Sequence, residues 1–245
     1  MRYYIADPHF FHGNLNTKMD CRGFADAEEM NGYSATRKGE KIMCGRFYVD
    51  EGTAREIEQI IRGVDLRMQK MRTGDIYPSQ SAGILTYHSQ QKNPLSGGSA
   101  AENAPALELT EMHWGFPQYQ KKGLLINARA ETALERKTFR ESVLHRRCVI
   151  PARHFYEWDS DKNKVTFFRE DRPVLFMAGF YNRFQDEERF IILTTQANAS
   201  VSPVHNRMPL VLDEGELEEW VYDDKFTEYA FHKTPSDLRR EQEYE

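Results

Sequence analysis

Between Cys148 and Thr195 the chain is cut into apolar or aromatic runs too short for long helices: Cys148–Pro151, His154–Trp158, Val165–Arg169, Val174–Tyr181 and Arg189–Thr195. Turn-forming groups at Asp159–Lys164, Glu170–Pro173 and Gln185–Glu188 separate most of them, the cadence of antiparallel strands joined by tight connections. Ala106–Trp114 predicts a further, half-buried strand, its apolar residues alternating through Leu107 and Leu109. Helical spacing is confined to two places. Thr53–Met71 repeats Ile57, Ile60, Ile61, Val64 and Met68 on one face, and a helix is expected after Leu212, capped by Asp213, with Leu217, Trp220 and Val221 together. Ser89–Pro105 (SQQKNPLSGGSAAENAP) reads as a flexible surface loop. With no internal repeat, no βαβ rhythm and no glycine-rich phosphate loop, the expected fold is α+β: a single domain dominated by antiparallel β-strands with flanking helices.

Other classes are excluded by what is missing. No stretch approaches the roughly 20 apolar residues that span a bilayer, and MRYYIADPHFFHG lacks the apolar core of a secretory signal. Three cysteines are too few for a disulfide scaffold, so a soluble, cytoplasmic protein is expected. A net charge of −5 argues against a dedicated nucleic-acid binder, but it is an average. Residues 1–43 are neutral, Asp213–Glu245 carry −8, and the body from Cys44 to Leu212 carries +3. Within that body Ala128–Arg153 has seven basic and three acidic residues. The acidic C-terminal stretch reads as a solvated tail.

Four short segments concentrate the reactive side chains: Met43-Cys44-Gly45-Arg46-Phe47, Asn127-Ala128-Arg129-Ala130-Glu131-Thr132, Phe155-Tyr156-Glu157-Trp158 and Val204-His205-Asn206-Arg207-Met208-Pro209. Cysteine, glutamate and histidine can supply a nucleophile, an acid/base and a proton shuttle. Singly each signal is weak, because a lone cysteine is ordinarily a small buried hydrophobe, and Cys148 inside its apolar strand is read as one. Glu157 between two aromatic residues is more pointed, since desolvation raises a carboxyl pKa.

Taken in order, MCGRF, N-A-R-x-E-T, F-x-E-W and H-x-R-M-P resemble the SOS response-associated peptidase (SRAP) family, from Met43 to about Tyr222, and Trp114-Gly115-Phe116-Pro117 is similar to the family's W-G segment. One departure is Ile76-Tyr77-Pro78-Ser79, where many members have Asn and Ala before the proline. The resemblance implies binding of single-stranded DNA and covalent capture of abasic sites by a cysteine that has become N-terminal. An opened abasic sugar is an aldehyde; an N-terminal cysteine offers an α-amine with a pKa near ~8 and a thiol to close a thiazolidine. Cys44 would then be the crosslinking nucleophile, Asn127 a positioning group, Glu157 the acid/base, and His205 the aid to ring opening and release. Arg129 is implied as a phosphate contact, with Arg46 and Arg207 along the same track, and Trp114 or Phe47 as stacking partners for bases. No cofactor or metal is implied, and the protein is expected to be a monomer associated with the bacterial nucleoid.

The first 42 residues complicate this, because Cys44 has no free amine while anything precedes it. Three readings of the extension are open: removal by the protein itself, retention, or a true start at Met43, for which Gly39-Glu40 can be encoded with a GGAG ribosome-binding run. Residues 1–31 resemble the opening of a calcineurin-like metallophosphoesterase, in which Asp7 and His9 would be metal ligands. The further ligand segments of that family do not follow, so a non-functional fragment without metal catalysis is expected. Two other functions stay open on the residues: a cysteine peptidase or amidohydrolase using Cys44, Glu157 and His205, and a non-covalent single-stranded DNA-binding module.

Overall fold

A computed structural model describes residues 44–60, 72–88, 106–118 and 123–242. The extension before Cys44, the loop read at 89–105 and the helical periodicity beyond Ile60 lie outside the described residues. Fifteen strands are described: β1 Phe47–Val49, β2 Gly74–Ile76, β3 Ser81–His88, β4 Ala106–Trp114, β5 Phe116–Pro117, β6 Leu124–Leu125, β7 Asn127–Arg129, β8 Arg147–Ala152, β9 His154–Trp158, β10 Lys164–Phe168, β11 Leu175–Phe184, β12 Glu187–Gln196, β13 Arg207–Pro209, β14 Val211–Leu212 and β15 Arg239–Gln242. The helices are α1 Glu51–Ile60, α2 Ala130–Ala133, α3 Lys137–His145, α4 Leu217–Tyr222 and α5 Asp224–His232, with a 3₁₀ turn at Glu214–Glu216.

Strands β12, β4, β3, β8 and β11 pair in a ring that closes where β11 meets β12 again, so the sheet is a barrel. Most pairings are antiparallel, but β4 and β7 both run parallel to β12. Closure removes the exposed edges that an open sheet must protect. Side chains along the wall alternate between two cores. Cys148, Ile150, Leu175, Met177, Phe190 and Ile192 pack with residues of the second sheet, while Val149, Phe176, Ala178, Ile191 and Leu193 pack with residues of the helices. Burial on both faces is why β8 and most of β11 read as nearly unbroken apolar runs. At Gly179 a Cβ would lie 2.4 Å from Ile150 Cδ1 and 2.5 Å from the Ile191 carbonyl, so only glycine lets β11 close against its neighbours.

The second sheet, in order β15-β10-β9-β1-β2, is antiparallel throughout. Its outermost strand corrects the reading of the C-terminal stretch as a solvated tail. Residues 213–242 fold onto the body: Asp213 caps the turn before α4 in a capping box with Glu216, and Leu217 and Trp220 are buried. The Asn198 side chain then donates to the carbonyls of Pro235 and Ser236, and β15 pairs with β10. The basic run is likewise partly structural. Arg147, 4% exposed, donates to the carbonyls of Trp220, Val143 and Leu144 and to Asp224 Oδ1. No helix among the described residues is long and apolar enough to cross a membrane.

Candidate active site

The first and third segments meet directly. Alternation along β9 sends Phe155 and Glu157 inward, and the strand lies beside β1 with Phe47 opposite Phe155. The chain before β1 runs along the end of β9, where the Cys44 N–H donates to Glu157 Oε1 at 2.6 Å. Both residues are buried, Cys44 wholly and Glu157 to 3% exposure. A carboxylate so placed is tolerable only with a donor against it, and Cys44 nitrogen is such a donor. Burial, and then the Glu157 carboxylate, push the Cys44 thiol well above the ordinary range. Cys44 also has φ 47°, in the left-handed region. A non-glycine residue persists there only when its surroundings hold it, and such strain clusters at functional positions.

The second and fourth segments meet across β12. β7 lies on one side of it, with Arg129 opposite Thr194, and β13 on the other, with Pro209 opposite the same Thr194. Arg207 reaches over this strand: Nη1 and Nη2 bind the two Glu131 oxygens at 2.6 and 2.8 Å, and Nη2 also donates to the Thr194 carbonyl at 2.6 Å. Burial would raise the Glu131 pKa, but the Arg207 hydrogen bonds outweigh it and hold the carboxyl below its usual range. His205, 6% exposed, accepts the Arg207 backbone N–H on Nδ1 at 3.0 Å. The same Nδ1 lies 3.3 Å from the Arg207 carbonyl, so both backbone polar groups of Arg207 face the ring. The turn before it is built by Asn198, whose Oδ1 accepts the N–H groups of Ser200 and Val201. Arg129 is exposed. The two halves share one core, in which Cys44 and Phe155 pack with Ile126, Ile192 and Met208.

Four of the side chains expected to contact DNA are placed differently. Trp114 has no exposed surface and its ring lies 5.2 Å from Phe47, itself fully buried, so neither offers a face to a base. Trp114 instead donates its indole N–H to the Ile126 carbonyl at 3.0 Å, fixing the residue before Asn127. Arg46 is 9% exposed, under the rings of Tyr156 and Trp158. Arg207 is committed to Glu131 and Thr194. Glu131, which anchors Arg207, was passed over in the sequence although it stands inside the N-A-R-A-E-T segment. A surface carboxylate two residues from an arginine gives no sign of a partner 76 positions away. Among the described residues no group of three or more His, Cys, Asp or Glu could hold a metal ion.

The fold and site define an α+β protein whose thiol, backbone nitrogen and carboxylate are gathered at the edge of a small sheet against a closed barrel. The model of the SOS response associated peptidase (SRAP) family matches residues 43–242, and the chain belongs to that family. The abasic site processing protein YoqW of Bacillus subtilis is 30% identical over 197 residues, 73% of this chain and 80% of that one. YoaM of the same organism, also an abasic site processing protein, is 33% identical over 193 residues, 73% of this chain and 79% of its own. A crystal structure of a protein from Bordetella bronchiseptica superposes with a TM-score of 0.61 at 19% identity. There 82% of this chain accounts for 100% of the other.

Proposed function

We propose that this protein binds single-stranded DNA and joins itself covalently to abasic sites through Cys44, shielding the lesion during the DNA damage response. The observation that carries this reading is the 2.6 Å contact between the Cys44 nitrogen and buried Glu157. The relatives' names, abasic site processing proteins, point the same way. While residue 43 is attached, that nitrogen is an amide and cannot condense with an aldehyde. Once Cys44 is first, the same atom is an amine, and the adjacent carboxylate favours its ammonium form. Glu157 therefore takes up the proton that frees the lone pair. The amine adds to the aldehyde carbon of the opened sugar, water leaves, and an imine forms. The Cys44 sulfur then attacks the imine carbon, its proton passes to the ring nitrogen, and a thiazolidine closes. A thiol kept protonated by burial is suited to this order, because it does not compete with the amine for the aldehyde.

In this reading Asn127 holds sugar and nucleophile in register, and His205 assists ring opening and takes part in release. Arg129 contacts a phosphate. Arg207, tied to Glu131, fixes the His205 turn. The working domain is residues 43–245, and the preceding residues block it as long as they remain. The test compares the full chain with a form starting at Met43 on an abasic oligonucleotide, with intact mass reporting whether residue 44 is N-terminal. A covalent band from every preparation with Cys44 first, and none from chains in which it is internal, is the expected outcome. Salt-sensitive retention without a band would move the reading to non-covalent DNA binding, and cleavage of an unrelated peptide would move it to peptidase action.

A further inference from the structure

The departure at Ile76-Tyr77-Pro78-Ser79 has a structural counterpart in Arg46. Its guanidinium carbon lies 4.3 Å from the centre of the Tyr156 ring, 5.1 Å from that of Trp158 and 5.5 Å from that of Tyr77. Nη1 donates to the Tyr77 hydroxyl at 2.9 Å and faces Asp75 Oδ2 at 3.4 Å. Asp75 is itself held, since its Oδ1 accepts the Tyr156 hydroxyl at 3.0 Å. Tyr156 and Trp158 are the residues on either side of Glu157, and Arg46 lies two residues after Cys44. Past Phe47 the Tyr156 N–H donates to the Arg46 carbonyl at 3.2 Å, tying β9 to the chain that leads from Cys44 into β1. The Arg46 Nε makes no hydrogen bond among the described residues, so stacking and Nη1 hold the group.

We propose that Arg46, gripped by Tyr77, Asp75, Tyr156 and Trp158, is a positioning residue that sets the Cys44 nitrogen against Glu157, not a phosphate contact. The inference rests on the reading of Cys44 as an amine nucleophile. A planar cation between rings resists sideways motion of both strands, and what it pins is the backbone on both sides of the 2.6 Å contact.

The experiment uses chains starting at Met43, with Cys44 confirmed as N-terminal, as wild type, Arg46→Lys, Arg46→Gln and Tyr77→Phe. Two reactions are followed against pH: crosslinking to an abasic oligonucleotide and condensation of the Cys44 amine with propanal. Arg46→Lys is expected to slow both about tenfold, as small misplacements of reacting groups do. With the carboxylate displaced, the amine pKa falls toward its free value, so the acid limb of both profiles moves to lower pH. Tyr77→Phe moves both the same way by a smaller factor, and thermal melting shows whether each variant is folded. Affinity for an undamaged oligonucleotide and its salt dependence stay within about twofold of wild type. Unchanged rates and pH limbs in Arg46→Lys and Tyr77→Phe would overturn the proposal, as would, in the charge-removing Arg46→Gln, weaker affinity with a salt slope lowered by about one, the mark of a phosphate contact. Failure of the wild type to capture the oligonucleotide would overturn the proposed function alone, since the propanal profiles still report on the grip.

Discussion

Cys44 and Cys148 are both free thiols without exposed surface, and burial pushes both well above the ordinary thiol range. The regions around them differ in everything else. Cys148 lies mid-strand in the barrel wall, paired with Gly179, its carbonyl taken by the Trp220 indole N–H at 2.9 Å. Its backbone is wholly committed to structure and its sulfur touches apolar atoms. Cys44 stands at the end of a strand with a strained backbone, and its nitrogen is hydrogen-bonded to a carboxylate side chain where Cys148 has a sheet partner. Burial by itself says nothing about reactivity. What separates the two is whether the backbone nitrogen faces an acid/base group.

The largest test of that contrast is to remove each sulfur in turn. In chains starting at Met43, Cys44→Ala should abolish the covalent band on an abasic oligonucleotide while leaving retention on undamaged DNA. Cys148→Ala should keep the band and lower stability by ~1–3 kcal/mol, read by denaturant unfolding. A band lost with Cys148 and kept with Cys44 would invert the assignment.

A smaller effect separates the exposed arginine beside the site from the buried ones that hold the fold. Arg129→Ala should weaken binding to all single-stranded sequences alike and reduce the slope of log K against log salt by about one. An unchanged slope would remove Arg129 from the phosphate track. Arg147, spent on carbonyls and Asp224, should show its loss in thermal melting with the slope unaltered.

The smallest effect is within the second sheet. His154 stacks on Tyr48 with ring centres 4.7 Å apart, and its Nε2 lies 2.7 Å from the Tyr156 hydroxyl. Because that hydroxyl donates to Asp75, the imidazole must donate to it. Burial lowers the His154 pKa to about 4. Its folded value is thus below the ordinary value of about 6.5, and between the two the unfolded chain binds the extra proton. Its contribution to stability is complete above about pH 6.5 and is lost as pH falls toward 4. Melting temperatures across that window should decline, and His154→Gln should flatten the decline. The loss at still lower pH remains, since Glu131 and Asp213 have depressed pKa values.

Much of the architecture was legible in the sequence because period and punctuation are local. Ala106–Trp114 and His154–Trp158 are strands with the expected ends, and Asp213 caps the turn into its helix. The four reactive segments were visible as residue types in order. Pairing was not visible, since nothing in β12 announces that it will meet β4 and β7 in parallel and close a barrel with β11. The burial of Arg46, Arg207 and Trp114 was not visible for a related reason: a guanidinium or an indole looks the same in sequence whether it faces phosphate or a buried partner. Glu131 shows the converse, a surface-type residue whose meaning lies in a distant partner.

The strand at Arg239–Gln242 completes a sheet in which β1, entered from Cys44, lies between β9 and β2. On a ribosome the two are made about 200 residues apart, at least on the order of ten seconds at usual elongation speeds. During that interval a nascent chain displays the cysteine without the finished sheet that presents Glu157 to it. The contact between Cys44 and Glu157 joins residues 113 positions apart, so it cannot form before Glu157 has left the ribosome.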